Sequence, residues 1–145
     1  MSFDLKILNG DLVISNSDFA TVQGNDKLVQ DLLKIALTEA GANVLNPWYG
    51  TLMSKSLIGS VLNSDILLSV AQTQLENAVQ NLKKLQNLQV QSGQSVSPDE
   101  QIAFIKNISI TQSPYDPRWY ITTINVLSRA FGKVSATFQT PISNI

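Results

Sequence analysis

The spacing of apolar residues changes period twice along this chain, and the two changes mark off three zones. From Met1 to about Gln23, short apolar runs alternate with polar turns, with Leu5–Leu8 and Leu12–Ile14 flanking Asn9-Gly10-Asp11. Asn-Gly between two such runs predicts a tight hairpin, because both residues tolerate a positive φ. A third short strand is expected at Phe19–Val22, and no internal repeat is read along the chain.

From about Asn25 to Val90 the spacing becomes helical. Leu28, Leu32, Ile35 and Ala36 line one face, widened by Val29, Leu33 and Leu37. Asn25 is the expected N-cap, and Gly41 the left-handed residue that stops the helix after Ala40. Asn46-Pro47-Trp48-Tyr49-Gly50 predicts a turn bearing two aromatics, with a short helix around Leu52–Gly59 to follow. The longest helix should open at Ser64 or Asp65. Its residues Leu68, Ala71, Leu75, Ala78, Leu82 and Leu85 recur at intervals of three and four, the seam of a helix laid along another apolar element. Gln72, Gln80, Asn87 and Gln91 mark its wet side.

After the loop Gln91–Ser95, Ser97-Pro98-Asp99-Glu100 has the spacing of a capping box and should open a short helix. Strands are expected at 104–112, 118–128 and 133–139, joined by turns at Ser113–Pro117 and Ala130–Gly132. Phe104, Ile108 and Ile110 share parity on the first of these, and Val134, Ala136 and Phe138 on the last. The fold class is therefore α+β in a single domain over residues 1–145. It comprises an N-terminal β-hairpin and short strand, central helices with one long helix, and a C-terminal three-stranded antiparallel meander whose one face rests on the helices.

Composition narrows what such a domain does. Charged residues make up 14% of the chain, against about 25% in ordinary soluble domains. The surface must be built largely of Asn, Gln, Ser and Thr, which suits a protein packed against neighbours. Net charge is −1 and Lys83–Lys84 is the only adjacent basic pair, so no patch is expected that could neutralise nucleic-acid phosphates. No apolar run is long enough to span a membrane, and Met1-Ser2-Phe3-Asp4 lacks the basic start of a signal peptide. The expectation is a soluble, unexported chain.

The chain has no His and no Cys, which excludes His-based triads, thiolate chemistry and Cys/His zinc sites. Carboxylates remain: Glu39, Asp65, Glu76, Asp99, Glu100 and Asp116. Each has a structural explanation. Glu39 falls in the expected last helical turn, Asp65 at a helix start, Asp99 and Glu100 in the capping box, and Asp116 in a turn. Gly24-Asn25-Asp26-Lys27 opens a helix after a strand, yet has one glycine and an anion-repelling Asp26, so no phosphate loop is expected. Trp48, Tyr49, Trp119 and Tyr120 are expected to pack in a core or an interface. No cofactor, metal or catalytic residue is assigned.

Asn9-Gly10-Asp11-Leu12-Val13, Asp18-Phe19-Ala20-Thr21-Val22-Gln23-Gly24, Thr38-Glu39-Ala40-Gly41 and Asn46-Pro47-Trp48-Tyr49-Gly50-Thr51-Leu52 stand in order along the chain. This succession resembles the baseplate wedge, or sheath-initiator, family of contractile phage tails. Related subunits serve type VI secretion baseplates and other contractile injection machines. The resemblance implies a structural subunit of the virion, made in the host cytoplasm and present in several copies in a symmetric ring. Its implied partners are other wedge proteins, the tail sheath and tube-proximal proteins, with no nucleic acid and no membrane. It also implies that the strands from Arg118 to Gln139 present an edge to the first sheath ring. Trp119, Ile121, Thr123, Val134, Ala136 and Phe138, with Trp48 and Tyr49, are the expected partner contacts. The Glu-Pro-Arg carried by many members is absent from the matching Gln101–Lys106, and Asp116-Pro117-Arg118 lies a hairpin later. Two alternatives stand beside this reading: a carboxylate-dependent, lysozyme-like hydrolase using Glu39, and an adaptor of another injection system.

Overall fold

The computed structural model describes residues 3–52 and 64–141. The expected helix at Leu52–Gly59 lies almost wholly outside them, and Leu52 itself sits in a bend. The class is α+β as expected, with strand hairpins first, helices next and a three-stranded antiparallel sheet last.

The N-terminal zone is more ordered than one hairpin and one strand. Each of its apolar runs is split at the middle residue, giving six two-residue strands: β1 (Asp4–Leu5), β2 (Ile7–Leu8), β3 (Asp11–Leu12), β4 (Ile14–Ser15), β5 (Asp18–Phe19) and β6 (Thr21–Val22). They pair antiparallel as β1 with β6, β2 with β3 and β4 with β5. The residues at the splits close a ring. Lys6 N–H donates to Ala20 O at 2.8 Å, Val13 N–H to Lys6 O at 3.1 Å, and Ala20 N–H to Val13 O at 2.8 Å.

These three residues are seven apart, and the sequence repeats with them: Asp4-Leu5-Lys6-Ile7-Leu8-Asn9-Gly10, Asp11-Leu12-Val13-Ile14-Ser15-Asn16-Ser17, Asp18-Phe19-Ala20-Thr21-Val22-Gln23-Gly24. In every copy the leading Asp Oδ1 accepts the next N–H, at 2.9, 2.8 and 2.7 Å. Positive φ recurs at the copy ends, at Asn9 and Gly10, Asn16 and Ser17, and Gly24. The reading without repeats is thus corrected. A seven-residue period, read one strand at a time, looks like ordinary alternation and is far shorter than the periods of stacked repeats.

Helix α1 (Gly24–Leu37) starts one residue before the expected cap, because Asn25 is already helical and Gln23 is the residue before the helix, with no side-chain cap. It ends three residues before Ala40. Thr38 turns extended and its hydroxyl bonds back to Lys34 O at 2.5 Å, which satisfies a terminal carbonyl without a left-handed stop. Gly41 does adopt a positive φ, in the following turn. The loop then folds back, Thr51 N–H bonding Thr38 O at 2.9 Å and Ala40 N–H bonding Thr51 O at 3.1 Å. Gly50 makes this approach possible, since a Cβ there would lie 2.6 Å from Thr38 O.

Helix α2 (Ser64–Gln91) matches its expected span. Ala71, Leu75, Ala78 and Leu82 of the seam are buried, together with Val79. After a short 3-10 turn at Pro98–Glu100, in place of the expected helix, come β7 (Ile102–Gln112), β8 (Trp119–Ser128) and β9 (Lys133–Pro141), with β8 central. Helix α1 lies over β9, α2 over β7, and the two helices touch each other. Leu28, Leu32, Ile35, Leu75, Ile102, Ile124 and Val126 anchor the core between these layers.

The parity expected for β7 holds for Ile108 and Ile110, which both pack on the core, and fails for Phe104. Two bulges, at Ile102/Phe104 and Ile105/Asn107, each shift the register. They turn Ile102, Ile105 and Ile108 toward the core and leave Phe104 exposed. Residues three apart share a face across a bulge, so simple alternation set Phe104 beside Ile108 where the bulge puts Ile105.

Candidate functional site

Two places on this framework carry unusual polar or backbone chemistry: the outer edge of β9 and the junction between the N-terminal ring and α1.

The direction of the β9 backbone follows from two turn hydrogen bonds. Ser128 N–H donates to Gly132 O at 2.9 Å, and Ser113 N–H donates to Trp119 O at 2.8 Å. Even-numbered residues of β8 therefore bond toward β9 and odd-numbered ones toward β7. Through the pairing of Val126 with Val134 and Ile124 with Ala136, the N–H groups of Ser135, Thr137 and Gln139 point away from the sheet. Register with β8 is unbroken from Leu127–Lys133 to Trp119–Pro141. Bulges blunt the β7 edge; β9 has none.

The expected contact residues divide between the faces of this sheet. Val134, Ala136 and Phe138 are 4, 1 and 8% exposed and belong to the core. Their side chains cannot meet a partner, because α1 covers that face. Only their strand's backbone edge and its outward Ser135, Thr137 and Gln139 are on the surface. Trp119, Ile121 and Thr123 lie on the opposite face, Trp119 exposed and the others half-buried. There Thr123 and Thr137 bring their hydroxyls to 3.3 Å, and Asn125 Nδ2 donates to Asn107 Oδ1 at 2.9 Å. Trp48 is exposed and in edge contact with Tyr49, their ring centres 6.3 Å apart, whereas Tyr49 is half-buried against the core. Burial pushes the Tyr49 phenol above its ordinary 10.0.

At the junction, Gln30 of α1 meets the ring with both ends of its amide. Its Nε2 donates to Leu5 O at 2.8 Å and Asp4 Oδ2 at 3.3 Å, and its Oε1 accepts from Ile7 N–H at 2.9 Å. Lys34 bonds Asp4 Oδ2 and lies 3.2 Å from Asp31 Oδ1, whose other oxygen takes Lys27 Nζ at 2.8 Å. Sequence reasoning missed this group, because Asp4 and Lys34 are remote in the chain and only Gln30, a polar residue one position off the apolar stripe of α1, hinted at it.

Partial burial alone would raise the Asp4 carboxyl, yet the Lys34 ammonium, aided by Leu5 N–H and Gln30, brings it below its ordinary 3.8. Burial alone would lower Lys34, and the Asp4 and Asp31 carboxylates instead hold it above 10.5. The contribution of Asp4 to stability is therefore complete above pH 3.8 and is lost as pH falls through its lower folded value. A carbon-detected NMR titration of Asp4 should give a midpoint below 3.8, and Lys34→Met should move it upward. A wild-type midpoint at or above 3.8 would refute the pairing.

Of the six carboxylates singled out from sequence, only Asp99 and Glu100 meet at one place, the start of α1. Glu39 lies beyond the end of α1, its backbone in a short parallel bridge with Thr51; the expected last-turn position is corrected. Asp65 opens α2, and Glu76 is exposed midway along it. Asp116 binds Arg118 through its backbone N–H at 3.0 Å and its guanidinium at 3.2 Å, and these bonds hold its carboxyl below 3.8. Asp99 and Glu100 approach the start of α1. Glu100, 1% exposed, accepts Gly24 N–H at 3.3 Å and Ser97 N–H at 3.3 Å. Its charge meets the positive end of the helix. Gly24 has φ +63°, and a Cβ there would sit 2.6 Å from Asp99 Oδ2. The place where a phosphate would dock is thus taken by the chain's own acids.

Among the described residues no three His, Cys, Asp or Glu side chains cluster as metal ligands would, and no helix is long and apolar enough to cross a membrane. No family model matches the chain, and no curated protein matches it in sequence. Among solved structures, its fold is similar to that of a protein provisionally named a tail lysozyme, from Geobacter sulfurreducens. The TM-score is 0.61 over 92% of this chain and 98% of that one, at 12% identity. At that identity the likeness shows a common fold.

Proposed function

We propose that this chain is a structural, non-catalytic subunit of a contractile-tail baseplate, and that it holds a neighbouring tail protein by adding that protein's strand to β9. The observation that carries the proposal is the β9 edge: nine residues in unbroken register with the N–H groups of Ser135, Thr137 and Gln139 turned outward. Soluble proteins usually blunt such an edge with a bulge, an inward charge or a proline, because it templates association. Here the bulges are on β7, and β9 carries a proline only at its last residue, Pro141. A partner strand would gain backbone hydrogen bonds along β9, with its alternate side chains set beside Ser135, Thr137 and Gln139 on the open face. The fold shared with a protein named for a phage tail supports the tail context. The resemblance in Asp18–Leu52 points to wedge proteins and the first sheath ring as the partners.

Proline at Thr137 tests the edge. It removes an outward N–H and the hydroxyl contact with Thr123 but no backbone bond to β8, so the fold should lose about 1–2 kcal/mol and stay folded. Co-purification with the sheath and wedge proteins of the same particle should fall at least tenfold. Unchanged co-purification by a folded Thr137→Pro chain would sink the strand-addition mechanism.

The neighbour's name favours one other reading, hydrolysis of cell wall. Such hydrolysis needs one carboxylic acid kept protonated beside an ionised partner. Asp4 and Asp31 come together around Lys34, and that ammonium holds the Asp4 carboxyl in its ionised form, not protonated as a general acid must be. Purified chain incubated with peptidoglycan should release no soluble fragments, and release abolished by Asp31→Asn would overturn the structural reading.

A further inference from the structure

We infer that residues 4–22 form a hinged module that turns as one body about Gln23–Gly24, fastened to α1 by a polar clasp that can release without unfolding either part. Four observations converge, and none depends on the tail assignment.

The module closes on itself. Its three split strands satisfy one another through the ring of Lys6, Val13 and Ala20, and each copy's Asp accepts the N–H of the next residue in its own strand. Equivalent positions of the repeat sit in equivalent surroundings: Leu5, Leu12 and Phe19 are 40, 44 and 51% exposed. The body of the chain does not supply this order.

The module contributes nothing to the core. No residue from 3 to 22 is buried, and none belongs to the cluster that joins α1, α2 and the sheet. An element held by apolar packing would share that cluster. This one is held by the three hydrogen bonds of Gln30 and the Lys34–Asp4 pair.

The clasp is flanked by space. A cleft of about 420 Å³ opens on one side, between Lys6, Thr21 and Val29. A second, of about 290 Å³, opens on the other, between the Asn9-Gly10 turn, Leu33 and Thr137. A rigid contact would be close-packed; a clasp with gaps on both sides leaves room to swing. The pivot is also present, since the chain leaves the module through Gln23 in extended geometry and Gly24 at positive φ, the kind of element-terminal position that absorbs hinge rotation. Turning the module would re-aim its exposed Ile14 and Phe19 while the sheet and helices stay fixed.

The test is amide exchange and residual dipolar couplings by NMR on the full chain, comparing wild type with Gln30→Ala and Asp4→Asn. Ile7 N–H, which bonds only across the clasp, should exchange at least tenfold faster in Gln30→Ala. The ring amides of Lys6, Val13 and Ala20, and core amides such as Ile124, should change by less than twofold. One alignment tensor should fit the whole wild-type chain, while residues 4–22 of Gln30→Ala should need a separate, weaker one. Molar salt, which screens Lys34–Asp4 without mutation, should move the wild type in the same direction. The inference is overturned if the ring amides lose protection together with Ile7, because the module then depends on the body. It is equally overturned if Ile7 stays protected, or one tensor still fits, once the clasp is cut.

Discussion

Glu100→Ala is expected to cost about 3 kcal/mol of stability, seen as a drop of roughly 10 °C in Tm. Glu100 is the point where α1, α2, the 3-10 turn and β7 are tied together. Its carboxylate serves Gly24 N–H at the start of α1 and Ser97 N–H, while its carbonyl accepts Gln86 Nε2 at 2.8 Å. Gln86 Oε1 in turn accepts Ile102 N–H, the first of β7, at 2.9 Å. Removing the carboxylate leaves two N–H donors without this acceptor and takes a negative charge from a helix N-terminus. Glu100→Gln should be only slightly milder, about 2 kcal/mol, because an amide can present one oxygen and must turn its NH2 toward the other donor. Urea denaturation of the three chains measures this directly. A loss below about 1 kcal/mol for Glu100→Ala would mean that the carboxylate does not cap α1.

Deleting β9 from Lys133 onward is expected to abolish cooperative folding altogether. Such a deletion is the intuitive way to ask whether the edge strand binds a partner, but Val134, Ala136 and Phe138 are inside the core. Losing them forfeits roughly 4–7 kcal/mol of apolar burial and strips α1 of the surface it rests on. That is comparable with the entire stability of a domain, about 5–15 kcal/mol. The truncated chain should show no thermal transition in the near-ultraviolet signal of Trp48 and Trp119, whereas Thr137→Pro keeps one. A truncated chain that still unfolds cooperatively would show that the core closes without β9. The comparison also separates two causes of lost binding: a missing edge and a missing fold.

The features legible in sequence are those generated by neighbours a few residues apart. Hairpin chemistry at Asn9-Gly10, the helical stripes of α1 and α2, and the turns at Ser113–Pro117 and Ala130–Gly132 all express local rules and are present in the fold. Alternation on β9 was legible too, as was the identity of its three inward residues, but alternation alone does not tell which face meets α1 and which would meet a partner.

By itself, then, the sequence determined the class of the fold, the order of its elements and the absence of imidazole and thiol chemistry. These depend on residue type and short-range period, which a single chain displays. Only the tertiary structure decided that the first strands close into a threefold ring, that two bulges re-aim β7, that Gln30 and Lys34 reach back to Asp4, and that Glu100 caps a helix 76 residues away. Each of these pairs groups remote in sequence, so the energy that selects it exists only once folding has brought them within hydrogen-bonding reach.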